Sequence, residues 1–280
     1  MYVTDFEYAN RRLSEFGCIV CHINSDASMQ EKDIGCDITF TTVKNNHTSI
    51  NSATSTSYDN VYTTTFEIMK NPCKTSDDEM FLSPEEVRAL VKWLNRREYH
   101  KFKLYNPDYE MPEIYYYGSF NVKQIWLGNK ILGLSLTFTA NAPYGLGEQI
   151  RFESYVLESN GTFSVFGDSD EIGTIYPNIK IECYADTGKG EEGFRITNKT
   201  TGNYTYIDNC KNGEIIYMDG NHKIIVTDRE EHKETLYNDF NYEFLDIEVD
   251  ASDWCENEYE VSHPCKITIS YSPIRKVGVN

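Results

Sequence analysis

The chain has 280 residues, 40% of them hydrophobic and 25% charged, which is the balance of a folded protein and excludes an extensively disordered one. Its net charge of −18 disfavours binding to nucleic acid or to anionic membrane surfaces. No apolar stretch is long enough to span a membrane, and the first residues lack the features of a signal peptide. These features predict a protein made in a cytoplasm.

The first 80 residues read as short strands and loops. Tyrosine is abundant, with 21 Tyr and 14 Phe against 3 Trp, and this usage suits β-sheet surfaces. The strand candidates are residues 2–8, 18–23, 38–43 and 61–69. The Ser/Thr-rich segment 45–57 predicts a long solvated loop, or alternatively an extended hairpin that reaches a neighbouring subunit.

One helix is expected, over residues 84–97. Ser83 is a suitable N-cap, Pro84 fits the first helical position, and Glu86 completes a capping box. The apolar positions then recur at helical spacing: Val87, Leu90, Val91 and Leu94, with Trp93 beside them.

The segments after the helix alternate with a period of two. Residues 131–138 place Leu132, Leu134, Leu136 and Phe138 on one face. Residues 115–127 supply a partner strand, and Gly128-Asn129 fits the tight turn between them. The second strand runs into Asn141-Ala142-Pro143-Tyr144-Gly145.

Beyond residue 145, short strand candidates are separated by Gly-containing turns. Strands are expected at 179–184, 194–198, 204–207, 215–218, 223–227, 244–249 and 266–271, with a hairpin across Asp219-Gly220. No helical periodicity interrupts them, so this half predicts an antiparallel β-sandwich. The domains expected are therefore 1–145 and 146–280.

The order of these segments carries a resemblance to a known family. In the first half the segments are Lys92-Trp93-Leu94, Lys103-Leu104-Tyr105 and 138–144; in the second half they are 194–198, 201–204, 213–220 and 265–275. In that order they resemble the siphophage distal tail protein (Dit) family, over roughly residues 1 to 275.

The resemblance implies a mainly β fold. It consists of an N-terminal β-sandwich-like, tail-tube-related domain with one α-helix and a C-terminal galectin-like antiparallel β-sandwich. It also implies a structural protein of a phage or prophage-derived particle and not an enzyme. Copies would form a ring, a hexamer by family analogy, between the tail tube protein and the tail-tip hub or tail-associated protein, with the receptor-binding protein docked outside. Its location would be the virion tail tip, after assembly in the host cytoplasm.

Two segments are candidates for contact between subunits of such a ring. They are the tyrosine run Tyr115, Tyr116 and Tyr117, and the segment 45–57. Closed cyclic symmetry would satisfy the exposed strand edges of every subunit.

No catalytic motif, metal site or cofactor is predicted. The sequence has no nucleophile elbow, phosphate-binding loop or zinc-protease motif. His232 lies in a charged segment that predicts a solvated loop. Cys18-Ile19-Val20-Cys21-His22 matches a haem-attachment string, but without an export signal the eight cysteines are expected to be small buried hydrophobes.

Two other functional classes stay open. A carbohydrate-binding, lectin-like sandwich would need an exposed aromatic platform, for which Trp254 and Tyr259 are the candidates. A hydrolase would need converging reactive side chains, which no motif indicates.

Overall fold

The computed structural model describes residues 3–21, 23, 36, 38–44, 51–58, 60–76, 79–105, 113–252 and 255–276. The chain divides into two compact units, residues 1–148 with 274–280 and residues 149–273. The expected second domain, 146–280, differs from this division at its C-terminal end. The chain returns to the first unit because Ile274 and Arg275 pair with Leu146 and Gly145.

The fold is mainly β, as predicted. The strands are β1 (Asp5–Tyr8), β2 (Arg11–Arg12), β3 (Cys18–Cys21), β4 (Ile38–Lys44), β5 (Asn51–Tyr58), β6 (Thr63–Lys70), β7 (His100–Tyr105), β8 (Ile114–Leu127), β9 (Lys130–Ala140), β10 (Gly145–Gly147), β11 (Ile150–Val156), β12 (Gly161–Gly167), β13 (Gly173–Ile175), β14 (Asn178–Cys183), β15 (Phe194–Asn198), β16 (Tyr204–Ile207), β17 (Ile215–Asp219), β18 (Ile224–Thr227), β19 (Ile247–Val249), β20 (Cys255–Val261), β21 (Cys265–Tyr271) and β22 (Ile274–Arg275). The α-helices are α1 (Pro84–Leu94), α2 (Glu230–Lys233) and α3 (Leu236–Asp239), and short 3-10 helices cover Leu13–Phe16 and Gly190–Glu192.

The first unit is built on one large antiparallel sheet. Its strands follow the order β2-β1-β7-β8-β9-β6-β3, and β10 joins β8 to β22. Leu134, Leu136 and Phe138 of β9 are fully buried, so the apolar face predicted from the alternation packs against the core. The hairpin between β8 and β9 turns at Gly128, which has a φ of 59° and so adopts the left-handed conformation that glycine favours.

A separate two-stranded hairpin lies in the same unit. β4 and β5 pair from Ile38 with Tyr58 to Lys44 with Asn51. The prediction of a solvated loop over 45–57 is therefore wrong for its second half, because Asn51–Tyr58 is a strand, and the alternative of a hairpin agrees with the pairing of β4 and β5. Its run of Ser and Thr has no apolar alternation, yet threonine fits a pleated strand well. Residues 45–50 lie outside the described residues.

Helix α1 begins as predicted. The Ser83 N–H donates to Glu86 at 2.7 Å, and the Glu86 N–H donates to the Ser83 hydroxyl at 3.2 Å. The helix ends at Leu94 and not at residue 97. The physical reason is Asn95, whose side-chain amide donates to the Phe120 carbonyl at 2.8 Å and fixes the chain against β8 instead of continuing the helix.

Trp93 attaches α1 to the sheet. Its ring stacks on Phe6 at 5.5 Å and on Phe16 at 4.6 Å between centroids. Its indole N–H donates to the Tyr8 carbonyl at 2.8 Å, so the buried polar atom is satisfied. The surrounding core is aromatic, with Phe102 and Phe138 in contact at 4.3 Å.

The second unit packs several antiparallel sheets around one core. A five-stranded sheet has the order β11-β21-β14-β17-β18, a four-stranded sheet has the order β12-β20-β15-β16, and β13 pairs with β19. Both large sheets bury apolar residues in one shared cluster, for example Ile181 and Ile267 from the first and Phe194 and Tyr259 from the second. The predicted hairpin across Asp219-Gly220 joins β17 to β18.

No helix in the described ranges combines the length and the apolar composition that crossing a membrane requires.

We expect Trp93→Ala to lower the free energy of unfolding of the first unit by about 3–5 kcal/mol, because it removes a large buried ring and its hydrogen bond. Val91→Ala, on the same helix at a position 36% exposed, is the matched control and should change stability little. Urea denaturation followed by circular dichroism measures both. Equal effects of the two substitutions would contradict the role given to Trp93.

Candidate interaction surfaces

The cysteines and acidic side chains form no evident reactive centre in the part of the chain that the structure describes. No group of three or more His, Cys, Asp or Glu side chains there is arranged to hold a metal ion. None of the eight cysteines, all within the described residues, forms a disulfide. Burial raises the pKa of Cys18 to about 11 and that of Cys21 to about 12, so both thiols of the haem-like string are neutral. His22 of that string lies outside the described residues.

The tyrosine run of β8 divides between the two faces of the sheet. Tyr116 is 4% exposed, and its ring stacks on Tyr62 at 4.5 Å in the core. Tyr115 is on the opposite face but is also buried, with the Lys101 ammonium 4.0 Å from its ring centroid. Tyr117 is 40% exposed. Of the three expected contact residues, only Tyr117 therefore offers substantial surface to another subunit.

The β4–β5 hairpin is a second exposed surface. Ile38 and Phe40 are 55% and 61% exposed, and they lie on the same face of β4 because they are two residues apart. In the described part of the chain, neither strand pairs with a third strand. The hairpin thus presents exposed apolar side chains on a strand outside the large sheet.

The tip of the β8–β9 hairpin exposes a further apolar pair that the sequence analysis did not single out. Trp126 and Leu127 are 56% and 59% exposed. Trp126 borders a cleft of about 850 Å³ that Phe81 and Lys130 also line. The only sequence signal was the turn at Gly128-Asn129, which places a hairpin tip here but does not show which side chains stay uncovered.

The expected sugar platform is not present at Tyr259. Its ring is fully buried against Phe163 at 5.1 Å, and its hydroxyl donates to the Asp246 carbonyl at 2.6 Å. Tyr259 is therefore part of the core, because it occupies an inward position of β20. Trp254 lies outside the described residues.

His232 is buried, so the prediction of a solvated loop is wrong for it. Its Nδ1 lies 2.6 Å from the carboxylate of Glu214, and its Nε2 lies 3.5 Å from the carboxylate of Asp239. Thr227 also donates to Glu214, at 2.5 Å. The cluster joins α2 and α3 to the β17–β18 hairpin.

This cluster shifts both pKa values towards the charged pair. The hydrogen bond to Glu214 raises the pKa of His232, against the effect of burial. Burial works to raise the pKa of Glu214, but hydrogen bonds from His232 and Thr227 outweigh it and hold that pKa below its usual range. The charged pair is therefore the form that the fold stabilises.

Two family profiles match the chain. Residues 1–142 match the profile described as "Phage tail protein N-terminal domain", and residues 144–271 match the one described as "Phage tail C-terminal domain". The chain belongs to this phage tail protein family. No curated protein matches it.

The tail protein also resembles solved structures. The crystal structure of Dit (gp 19.1) from phage SPP1, described as a paradigm of the hub adsorption apparatus in phages infecting Gram-positive bacteria, has a TM-score of 0.62 and 11% identity, and the match covers 97% of this chain and 99% of that one. A chain of the phage P2 baseplate in its activated conformation with Ca matches with a TM-score of 0.44 and 11% identity, over 96% and 98% of the two chains. The resemblance predicted from the sequence is thus confirmed for the family and for the fold.

We expect the stability of the second unit of the tail protein to depend on pH through His232. Because its folded pKa is raised, its contribution is complete below the unfolded value of about 6.5 and is lost as the pH rises through the folded pKa. The contribution of Glu214, whose folded pKa is lowered, is present above about 4.3 and is lost as the pH falls through the folded pKa.

His232→Gln should cost about 1.5–3 kcal/mol near pH 6 and less at a pH above the raised folded pKa of His232, because it removes a buried hydrogen bond to a charged group. Denaturation curves across this pH range measure the difference. His222→Gln, at an exposed His beside Asp219, is the control. A cost of His232→Gln that does not change with pH would contradict the charged pair.

Proposed function

We propose that this chain is a distal tail protein that forms a closed ring, hexameric by analogy with its family, at the tip of a phage tail or of a prophage-derived particle. The ring would join the tail tube to the tail-tip hub and would carry the receptor-binding components. Its role would be structural and not enzymatic, and its location the virion, after assembly in the host cytoplasm.

The β4–β5 hairpin is the observation that carries the ring. An isolated two-stranded hairpin is marginally stable in water, and unpaired strand edges invite pairing with another chain. A neighbouring copy of the chain would cover Ile38 and Phe40 and would add a strand to this two-stranded sheet. In a closed ring every copy receives this cover from the next one, so no edge is left over.

The family and the fold support the same role. Both halves of the chain match phage tail profiles, and the fold over 97% of the chain is that of a protein described as part of a hub adsorption apparatus. Tyr117 is the remaining member of the tyrosine run with surface for a second contact. The net charge of −18 would discourage DNA from adhering near the opening of such a ring.

We expect light scattering coupled to size exclusion to give a mass several times the 32.4 kDa of one chain, six times for a hexamer, with a concentration-dependent equilibrium. Phe40→Ser should raise the concentration needed for assembly by about tenfold or more, because it removes the burial of a large apolar side chain.

The matched control is Tyr155→Ser, at a position 60% exposed in β11 of the second unit, against 61% for Phe40. Its assembly should resemble that of the unmodified chain. Circular dichroism checks that both variants fold. A mass that stays at one chain over about a hundredfold range of concentration, or equal effects of the two substitutions, would contradict the proposal.

A further inference from the structure

A polar pocket lies on the outward face of the four-stranded sheet in the second unit. Its volume is about 620 Å³. The register of the strands places its central side chains in two rows of three. One row is Tyr204, Thr197 and Glu260, and the other is Tyr206, Arg195 and Ser262. Side chains at these alternating positions point away from the core.

Arg195 at the centre of this pocket forms none of the ion pairs seen among the described residues, and the nearby Glu260 pairs instead with the Lys199 ammonium at 3.2 Å. Its guanidinium instead lies 4.1 Å from the ring centroid of Tyr204 and 6.0 Å from that of Tyr206. Its N–H donors are therefore held in place by aromatic rings and remain available to a ligand. Tyr204 is itself 42% exposed.

The other tyrosine and the pocket floor are fixed before any ligand arrives. The Tyr206 hydroxyl is hydrogen-bonded to the Gly190 carbonyl and to Asp208. Burial and the bond to Asp208 raise the pKa of Tyr206 to about 12, so the phenol stays neutral. Gly193 leaves room for that ring, because a Cβ there would lie 2.5 Å from the Tyr206 hydroxyl. A fixed pocket loses little conformational freedom on binding.

We propose that this pocket binds a neutral saccharide. A sugar ring would pack against the exposed part of Tyr204, which supplies an apolar body beside polar groups. Sugar hydroxyls both donate and accept hydrogen bonds, so they match a pocket in which Arg195 donates, Glu260 accepts and Thr197 does either.

The charges and the edges of the site disfavour other ligands. An anion would gain from Arg195 but would be repelled by Glu191, which lines the same pocket; the charge of Glu260 is already balanced by the Lys199 ammonium at 3.2 Å. A peptide could not add a strand at β16, because Asn241 already covers that edge. Its side-chain amide donates to the Tyr204 carbonyl at 3.0 Å, and its side-chain oxygen accepts from the Tyr206 N–H at 3.1 Å.

The test uses the full chain and does not depend on ring formation. An array of neutral oligosaccharides of hexoses and N-acetylhexosamines is probed beside a matched series that carries carboxylate or phosphate groups. The strongest neutral probe is then titrated by calorimetry. We expect binding in the neutral series, and Tyr204→Ala and Arg195→Gln should each raise Kd by about tenfold or more.

Tyr217→Ala is the matched control. Tyr217 is 45% exposed on the outward face of the other sheet, with the Lys180 ammonium 5.9 Å from its ring centroid, so it reproduces an exposed tyrosine beside a cation. Its Kd should stay within about twofold of that of the unmodified chain. Binding only to the acidic series or no binding to any neutral probe would overturn the proposal. An equal loss of affinity in Tyr204→Ala, Arg195→Gln and Tyr217→Ala would overturn it as well.

Discussion

The β4–β5 hairpin forms a sheet of its own among the described strands, separate from the large sheet of the first unit, and the proposed assembly depends on this separation. Backbone amides and carbonyls at a strand edge need hydrogen-bond partners from water or from another strand. The apolar side chains of Ile38 and Phe40 add an exposed face that water covers poorly. We propose a copy of the same chain as the partner, because it is always present at the right stoichiometry.

The rest of the first unit provides a rigid base for such contacts. The aromatic core around Phe102 and Phe138 fixes the central strands, and Trp93 attaches the helix α1 to them. Because β8 belongs both to the large sheet and to the hairpin that carries Trp126, the exposed tip of this hairpin is anchored by the core. Closely packed cores deform little, so exposed contact residues keep fixed relative positions within the unit. The second unit has its own core and can carry a separate binding function.

Local signals in the sequence predicted the elements that local contacts determine. The capping box at Ser83 and the alternation in β9 are of this kind, since neighbouring residues carry the information. The errors arise where distant residues decide. Asn95 ends the helix through a bond to Phe120, and His232 is buried because Glu214 lies opposite it. The saccharide pocket has no contiguous motif at all, because the register of three strands assembles it from single alternating positions.

Hydrogen–deuterium exchange of the hairpin amides tests the completion of β4 and β5 by a neighbouring copy most directly. The comparison is between the assembled protein and the dilute single chain, with β9 amides, central in the sheet, as the slowly exchanging reference. We predict that assembly slows exchange in Ile38–Lys44 and Asn51–Tyr58 by about tenfold or more, because new interchain hydrogen bonds protect them. Hairpin amides that exchange equally fast in both states, while protection appears elsewhere, would contradict the account.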